Sequence, residues 1–564
     1  MLSRISERCT AVTGLEQVLC RHVWSAAWLR DAEPAAAASQ SIDLSCLMER
    51  AGLAAYDVFA SLYASQRHWL ILVGSGNNGG DGYVIARHAR EAGRKVTVLS
   101  MPHSKPLPTE ATNAQHAWQA VGGTETMINP GTSLHLPTDV DLVVDGLLGT
   151  GISGPPRKHY EEVIRHINAL PVPRVAIDIP SGLNAETGEA AGACVRADHT
   201  ATFICLKPGL LTGQARDYVG QLHYRSLGLE EWMIAAERMD AALCRRVALG
   251  DVYGYFSTRR SAVAHKGSCG KVVLIGGDHG FGGAILMSAE ACLTIGAGLT
   301  RVLTRPEYVA PLLTRCPEVM VIAVETETSG QLEQQMVEAF EWASTLAVGP
   351  GLGTGAYGQA ALSAALRQAE MHQDKTLVLD ADALNLLAER LHSKEVGAAV
   401  GAGKYLPVLP NSIITPHPGE AARLLACRVV DVEKDRLARL AAARRLAAVL
   451  GGTCLLKGPG TVVHCQSSGK TAIVDAGNAG MASGGMGDVL TGLLAGLAAQ
   501  RMMHDTFDTT CAAALAHGVA ADMVAAEDGR GTRGIRATEL IPRIPFIVNA
   551  SVPSSATQQR RSGL

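Results

Sequence analysis

Aromatic residues are scarce: Phe, Tyr and Trp make up 4% of the 564 residues, although 47% are apolar. The apolar mass is therefore mostly Ala, Leu and Val, as expected of tightly packed α/β layers. Charge of one sign is also lacking. Fifty Lys and Arg face 53 Asp and Glu, a formal net charge of −3, so nothing favours a nucleic acid or an anionic membrane surface as partner. No continuous apolar run reaches the roughly 18 residues needed to span a bilayer, and the N-terminus shows no basic region followed by an apolar stretch. The thirteen cysteines contain no C-x-x-C pair and sit singly in apolar runs, as Cys205, Cys292 and Cys454 do. That excludes a disulfide framework and a zinc site, and fits buried free thiols in a reducing compartment. A cytoplasmic location is the expectation. A Walker loop is missing too, which excludes P-loop chemistry.

Glycine, by contrast, is abundant. Its 60 occurrences exceed the roughly 40 that average usage predicts, and the excess is clustered, which points to binding turns lined by backbone. The chain is too long for one core. Strand-like runs alternating with helical patterns give an α/β class with two blocks, residues 13–232 and 265–548, joined by an Ala/Arg-rich linker over 233–264. The first block carries strands at Leu70–Val73, Lys95–Leu99, Leu142–Val144, Arg174–Ile177 and Thr202–Leu206, the rhythm of a doubly wound parallel sheet. The second opens at Gly270–Gly277, has strands at Leu346–Val348, Thr376–Leu379, Ser412–Thr415 and Thr453–Lys457, and includes a long Ala/Leu helix over Asp435–Leu450. Residues 549–564 read as a disordered tail.

The most informative stretch is Gly74-Ser75-Gly76-Asn77-Asn78-Gly79-Gly80-Asp81-Gly82. It follows the branched, apolar run Trp69–Val73 and precedes helical spacing from Tyr83. A strand turning through five glycines into a helix offers free N–H groups and a positive dipole end to an anion. Glycine would there let a phosphate reach the backbone. Two further strands deliver carboxylates to the same sheet edge: Asp145 opens Asp145–Pro155, and Asp178 opens Asp178-Ile179-Pro180-Ser181-Gly182. Such carboxylates serve as acid/base groups or as ligands of a hard cation.

In the second block the strongest signal is Gly477–Leu490, ending Gly484-Gly485-Met486-Gly487-Asp488 at the start of an apolar helix. N–H groups at such a start stabilise charge developing on a phosphoryl group, and the carboxylate takes a hydroxyl proton. Lys457-Gly458-Pro459-Gly460-Thr461 follows a strand and suits nucleotide phosphates. His417, between two prolines, is rigidly presented. Asp380 ends another strand as a candidate for positioning magnesium, and Gly349–Gly353 allows close backbone approach.

The first block resembles the NAD(P)H-hydrate epimerase family, with a Rossmann-like doubly wound sheet. The resemblance implies substrate binding by Asn77, Asn78, Gly79, Gly80, Asp81, by Gly149, Thr150, Gly151, Ile152, Ser153, Gly154, Pro155, and by Asp178. It implies a potassium ion held by Asn78, Asp145 and Ser181, all hard oxygen donors. Asp178 is assigned as the acid/base group; Lys207 reads either as a phosphate-steering group or as a solvated strand-end lysine. The second block resembles the ADP-dependent NAD(P)H-hydrate dehydratase family within the ribokinase-like superfamily. That resemblance implies that Ala284, Gly353, His417 and Asp488 contact the hydrate, Lys457–Thr461 and Gly487 the adenine nucleotide, with magnesium accompanying ADP. The segment Val396–Leu409 is longer than that family's usual spacing.

As a whole the chain resembles a fusion of the two. The implied sequence is epimerisation of R and S hydrates at C6, then dehydration of the S form with ADP converted to AMP and phosphate. A ribokinase-type small-molecule kinase with a nucleotide-binding accessory domain is the alternative, and a silent nucleotide-binding scaffold the rival from another class. NAD(P)H hydrates and ADP are the expected partners, and the Ala-rich apolar helices suit a homo-oligomer.

Overall fold

The computed structural model describes the chain except for residues 1, 3, 4, 6, 104, 130–135, 326–328, 393–405, 434–438, 504 and 551–564. Most of the expected long segment Val396–Leu409, the start of the helix expected from Asp435 and most of the expected tail lie outside the described residues. The chain divides into two units, Arg8–Arg246 and Val247–Leu564, the latter joined by Met1–Glu7. The division falls inside the 233–264 stretch read as a linker. That stretch is structured: Cys244–Val247 is a strand and Val252–Tyr255 a short helix. Phe256 is only 3% exposed and belongs to the core of the C-terminal unit.

The N-terminal unit is one eight-stranded parallel sheet, in the order Cys9–Thr10, Gln221–Arg225, His199–Phe203, Arg174–Ile177, Leu142–Gly146, His68–Val73, Lys95–Ser100, Glu125–Met127. Its central strand is buried on both faces, with Trp69, Leu70, Ile71 and Leu72 fully inaccessible, which explains the unbroken apolar run where an exposed strand would alternate. From that strand the order runs both ways, so a crevice opens at the carboxyl ends of His68–Val73 and Leu142–Gly146. The strand expected at Thr202–Leu206 lies at His199–Phe203. Ile204 instead takes a left-handed backbone, φ +62°.

In the C-terminal unit, seven parallel strands run Met320–Ala323, Leu299–Thr304, Lys271–Ile275, Thr345–Val348, Thr376–Leu379, Ser412–Ile414, Thr453–Leu456, followed by the antiparallel pair Thr461–Cys465 and Thr471–Val474. This is the expected ribokinase-like α/β arrangement. Helices Gly282–Thr294, Met486–Gln500 and Thr506–Ala526 supply much of its core. The small side chains permit close approach: a Cβ on Gly492 would lie 2.2 Å from the Ser288 carbonyl oxygen. Thr506–Gly529 is long and apolar enough to cross a membrane by length and composition, but 83% of its apolar window is buried within the protein. The Ala-rich helices behind the homo-oligomer expectation thus fill their own unit's core.

Candidate active sites

In the N-terminal unit the helix begins at Asn77, with Gly76 as its N-cap and no side chain capping it. The glycines of this turn serve packing first. A Cβ on Gly74 would lie 1.8 Å from the Leu147 carbonyl oxygen, and one on Gly79 would lie 2.2 Å from that of Gly74, whereas Gly76 faces open space. The glycine cluster therefore locks the turn against the Asp145 loop, and Gly76 is the one open toward a ligand.

Asp145 is fully buried. It accepts the Ser181 hydroxyl at 2.6 Å, the Ser181 N–H at 2.8 Å and the Leu147 N–H at 3.2 Å. No Lys, Arg or His pairs with it among the described residues, and burial lifts its carboxyl to about 6. Asn78 donates to the Leu148 carbonyl at 3.0 Å, and the same carbonyl accepts the Ser181 hydroxyl at 3.2 Å. Asn78, Asp145 and Ser181 are thus gathered around Leu148, with oxygens suited to a hard cation and a buried negative charge for one to offset. The donor set fits potassium.

Asp178 holds a left-handed backbone, φ +59°, a conformation costing about 1 kcal/mol or more outside glycine and often found at functional sites. Its Oδ1 accepts Lys207 Nζ at 2.5 Å, the Thr202 hydroxyl at 3.0 Å and the Phe203 N–H at 3.4 Å. Lys207 is fully buried, which rules out a solvated lysine. Burial disfavours its ammonium, but the Asp178 charge outweighs this and holds its pKa above the ordinary value. A cavity of about 540 Å³ is lined by Asn77, Asn78, Asp81, Gly149, Thr150, Gly151, Ile152, Asp178 and Lys207. Gly79, Gly80, Ser153, Gly154 and Pro155 are not on its wall. Glu33 is, and sequence reading missed it: a carboxylate in the Ala-rich helix Ala26–Ser39 carries no motif.

In the C-terminal unit the strand ends converge on Lys457. Its Nζ lies 2.7 Å from Asp380 Oδ1 and 3.8 Å from Glu420 Oε2. Asp380, 1% exposed, also accepts the Thr491 hydroxyl at 2.7 Å. Despite its burial, Lys457 keeps the Asp380 carboxyl below the usual range. Asp380 is thus occupied by an ammonium. Among the described residues no group of three or more His, Cys, Asp or Glu is placed to hold a metal.

Gly485 supplies the left-handed N-cap, φ +89°, of helix Met486–Gln500. That turn sets Gly487 against the ion pair: a Cβ there would lie 3.3 Å from Lys457 Nζ and 3.5 Å from Asp380 Oδ2. Asp488 follows, half-buried, with no hydrogen-bond donor to its carboxylate among the described residues. Burial, reinforced by the Asp380 charge and opposed by Lys457, lifts it to about 7. Its backbone carbonyl is tied to the Ser288 hydroxyl at 2.8 Å. Ser288 also bonds the Ala284 carbonyl one turn earlier, at 3.2 Å.

Gly353, φ +70°, donates its N–H to Asp382 at 2.9 Å. His417 caps helix Pro418–Leu424, its Nδ1 accepting the Gly419 N–H at 2.9 Å while the Glu420 carboxylate accepts the His417 N–H at 2.8 Å. The H-P-G-E spacing is the sequence trace of this reciprocal cap. It leaves Nε2 as the donor end of a half-exposed ring. Gly458 rests against the buried Arg439, whose guanidinium bonds the Leu456 and Lys457 carbonyls at 3.2 and 3.0 Å. Asn478 and Gly477 are fastened to Asp522 of the long helix, at 2.9 and 2.8 Å.

Residues 272–545 match the NAD(P)H-hydrate dehydratase family, and residues 45–209 match the family of YjeF-related protein N-termini. The chain is 98% identical, over the full length of both, to a bifunctional NAD(P)H-hydrate repair enzyme of Leishmania braziliensis. It is 47% identical to the Escherichia coli K12 bifunctional NAD(P)H-hydrate repair enzyme over 94% of each chain. The solved ADP/ATP-dependent NAD(P)H-hydrate dehydratase of Bacillus subtilis aligns at 27% identity over 52% of this chain and 95% of that one, with a TM-score of 0.43. With relatives matched from end to end and both domain families in order, this chain belongs to the bifunctional NAD(P)H-hydrate repair enzyme family.

Proposed function

We propose that the N-terminal cavity epimerises hydrated NADH or NADPH at ring C6 and that the Asp488 cluster dehydrates the S form using ADP. The observation carrying the second assignment is the meeting of Asp488, Gly487 and Lys457 at one helix start. Hydroxide is a poor leaving group. Asp488, free of protein donors, takes the proton of the C6 hydroxyl as that oxygen attacks the terminal phosphoryl group of ADP. Lys457 and the orphan N–H groups of the helix's first turn face the transferring charge, and AMP departs. The ring nitrogen's lone pair then expels phosphate, and loss of the C5 proton restores the dihydronicotinamide. His417, Gly353 and Ala284 hold the hydrate; the Lys457–Thr461 turn holds the nucleotide. Magnesium would enter with the ADP phosphates.

In the N-terminal unit, Asp178 acts at C6 through its Oδ2, which has no hydrogen-bond donor among the described residues, and is oriented by Lys207 at Oδ1. Potassium at Asn78, Asp145 and Ser181 would offset the buried Asp145 charge and fix the Leu148 loop beside the cavity. A reducing compartment such as the cytosol suits thirteen free cysteines. Incubation with hydrated NADH and ADP, following dihydronicotinamide absorbance, tests the whole reading: regeneration with AMP and phosphate formed is expected. A kinase would consume nucleotide without restoring the absorbance.

A further inference from the structure

Inversion at C6 through loss and return of water needs two proton-transferring groups, an acid for the departing hydroxyl and a base for the water that returns to the other face. Asp178 is one. The cavity wall offers three more carboxyls: Glu110 from helix Thr109–Ala120, and Glu33 from helix Ala26–Ser39 and Asp81 from helix Asn77–Glu91, both acted on by the Asp178 charge. Neither Glu33 nor Asp81 has a hydrogen bond or an ion pair among the described residues, so both are open to a ligand. Pro34, lacking an N–H, leaves a gap in the helix ladder one residue after Glu33.

We propose that Glu33 is the second acid–base residue of the epimerisation site, paired in function with Asp178 from a different element of the cavity. This rests on the reading of that cavity as the epimerisation site. In one direction the C6–O bond breaks, its electrons leaving with oxygen, which takes the Glu33 proton and departs as water. The ring nitrogen's lone pair forms the N1–C6 double bond. Water then adds to the opposite face, the double-bond electrons return to nitrogen, and Asp178 takes the released proton. The reverse conversion starts from protonated Asp178, and exchange with solvent resets the pair.

The electrostatics separates Glu33 from Asp81. The charges that act on Glu33 are Asp178, Lys207 and Arg30 on its own helix, and Glu33 in turn acts on Asp81. Burial and the Asp178 charge lift Glu33 to about 7, against Lys207 and Arg30, so it both gives and accepts a proton near neutrality. Burial, with Asp178 and Glu33 adding to it, pushes Asp81 well above the usual carboxylate range. Burial thus favours the protonated form of Asp81, a hydrogen-bond donor to the ligand rather than a base.

The test uses the full-length chain, the purified R hydrate and no ADP, in oxygen-labelled water. Glu33→Gln is expected to lower kcat for R-to-S conversion about 100-fold or more with KM and the Tm of the N-terminal unit nearly unchanged, which reports that unit's intact fold, while ADP-driven dehydration of the S form keeps its rate. The pH profile of the unaltered enzyme should carry a limb near 7 that is absent from the residual activity of Glu33→Gln, and Glu33→Asp should recover part of the rate. Product without label overturns the water-loss step. Full activity in Glu33→Gln, or a change confined to KM, overturns the role of Glu33. If Asp178→Asn also retains full activity, the reading of the cavity fails as well; if Asp178→Asn is inactive and Glu33→Gln active, only the second group is wrong.

Discussion

Lys457 Nζ and Asp380 Oδ1 form a 2.7 Å ion pair at the ends of two parallel strands, directly beneath the helix start that carries Gly487 and Asp488. The pair sets the charge around that helix start: its ammonium lies against Gly487, and its carboxylate raises the neighbouring Asp488. Lys457→Met leaves Asp380 buried without its counter-ion. We expect a loss of about 3–5 kcal/mol from the C-terminal unit's stability, read by urea unfolding, together with loss of dehydration. A variant as stable as the parent would show that the pair contributes little.

Asp488→Asn keeps shape and removes the base. Dehydration of the S hydrate should fall about 100-fold or more, with R-to-S conversion intact. Because the working form is the carboxylate and its pKa is lifted to about 7, kcat/KM for dehydration should rise with pH through about 7 and level off above it. The same limb surviving in Asp488→Asn would assign it to another group, Glu420 first, which is also lifted to about 7.

Potassium should stabilise the N-terminal unit by mass action. Replacing potassium chloride with the chloride of a bulky organic cation is expected to lower its Tm and slow R-to-S conversion. In Asp145→Asn the Tm should no longer respond to the choice of salt. Equal Tm in both salts for the unaltered chain would sink the ion assignment.

Each unit has its own set of parallel strands and its own site residues, so pieces ending at Arg246 and beginning at Val247 should each retain one activity. The N-terminal piece should epimerise without ADP, and the C-terminal piece should clear only the S form. Asp178→Asn in the intact chain should reproduce that half-repair. Equal clearance of both epimers by the C-terminal piece would contradict the division of labour.

Much was legible in the primary structure because it depends on local order. The run Trp69–Val73 reads as a buried strand because it is short, rich in branched residues and followed at once by a glycine turn. Gly74–Gly82 declares itself as a strand-to-helix turn, Asp178–Gly182 as the end of a strand and Gly484–Asp488 as the start of a helix, and the spacing of His417 and Glu420 already contains the cap. The short antiparallel pair Thr461–Cys465 and Thr471–Val474 and the strand Leu299–Thr304 gave no comparable local signal, their pairing being set by neighbours far along the chain.

The chemistry around those turns was decided in three dimensions. Asp380, read as a magnesium group, is the counter-ion of Lys457, 77 residues away. Lys207 is buried against Asp178, 29 residues earlier. Glu33 has no motif at all and gains meaning only by lining the cavity with Asp81 and Asp178. A carboxylate's role follows from its burial and from the charges around it. Sequence order places the turns that carry such groups, but folding alone determines which charges meet and how far from water they lie.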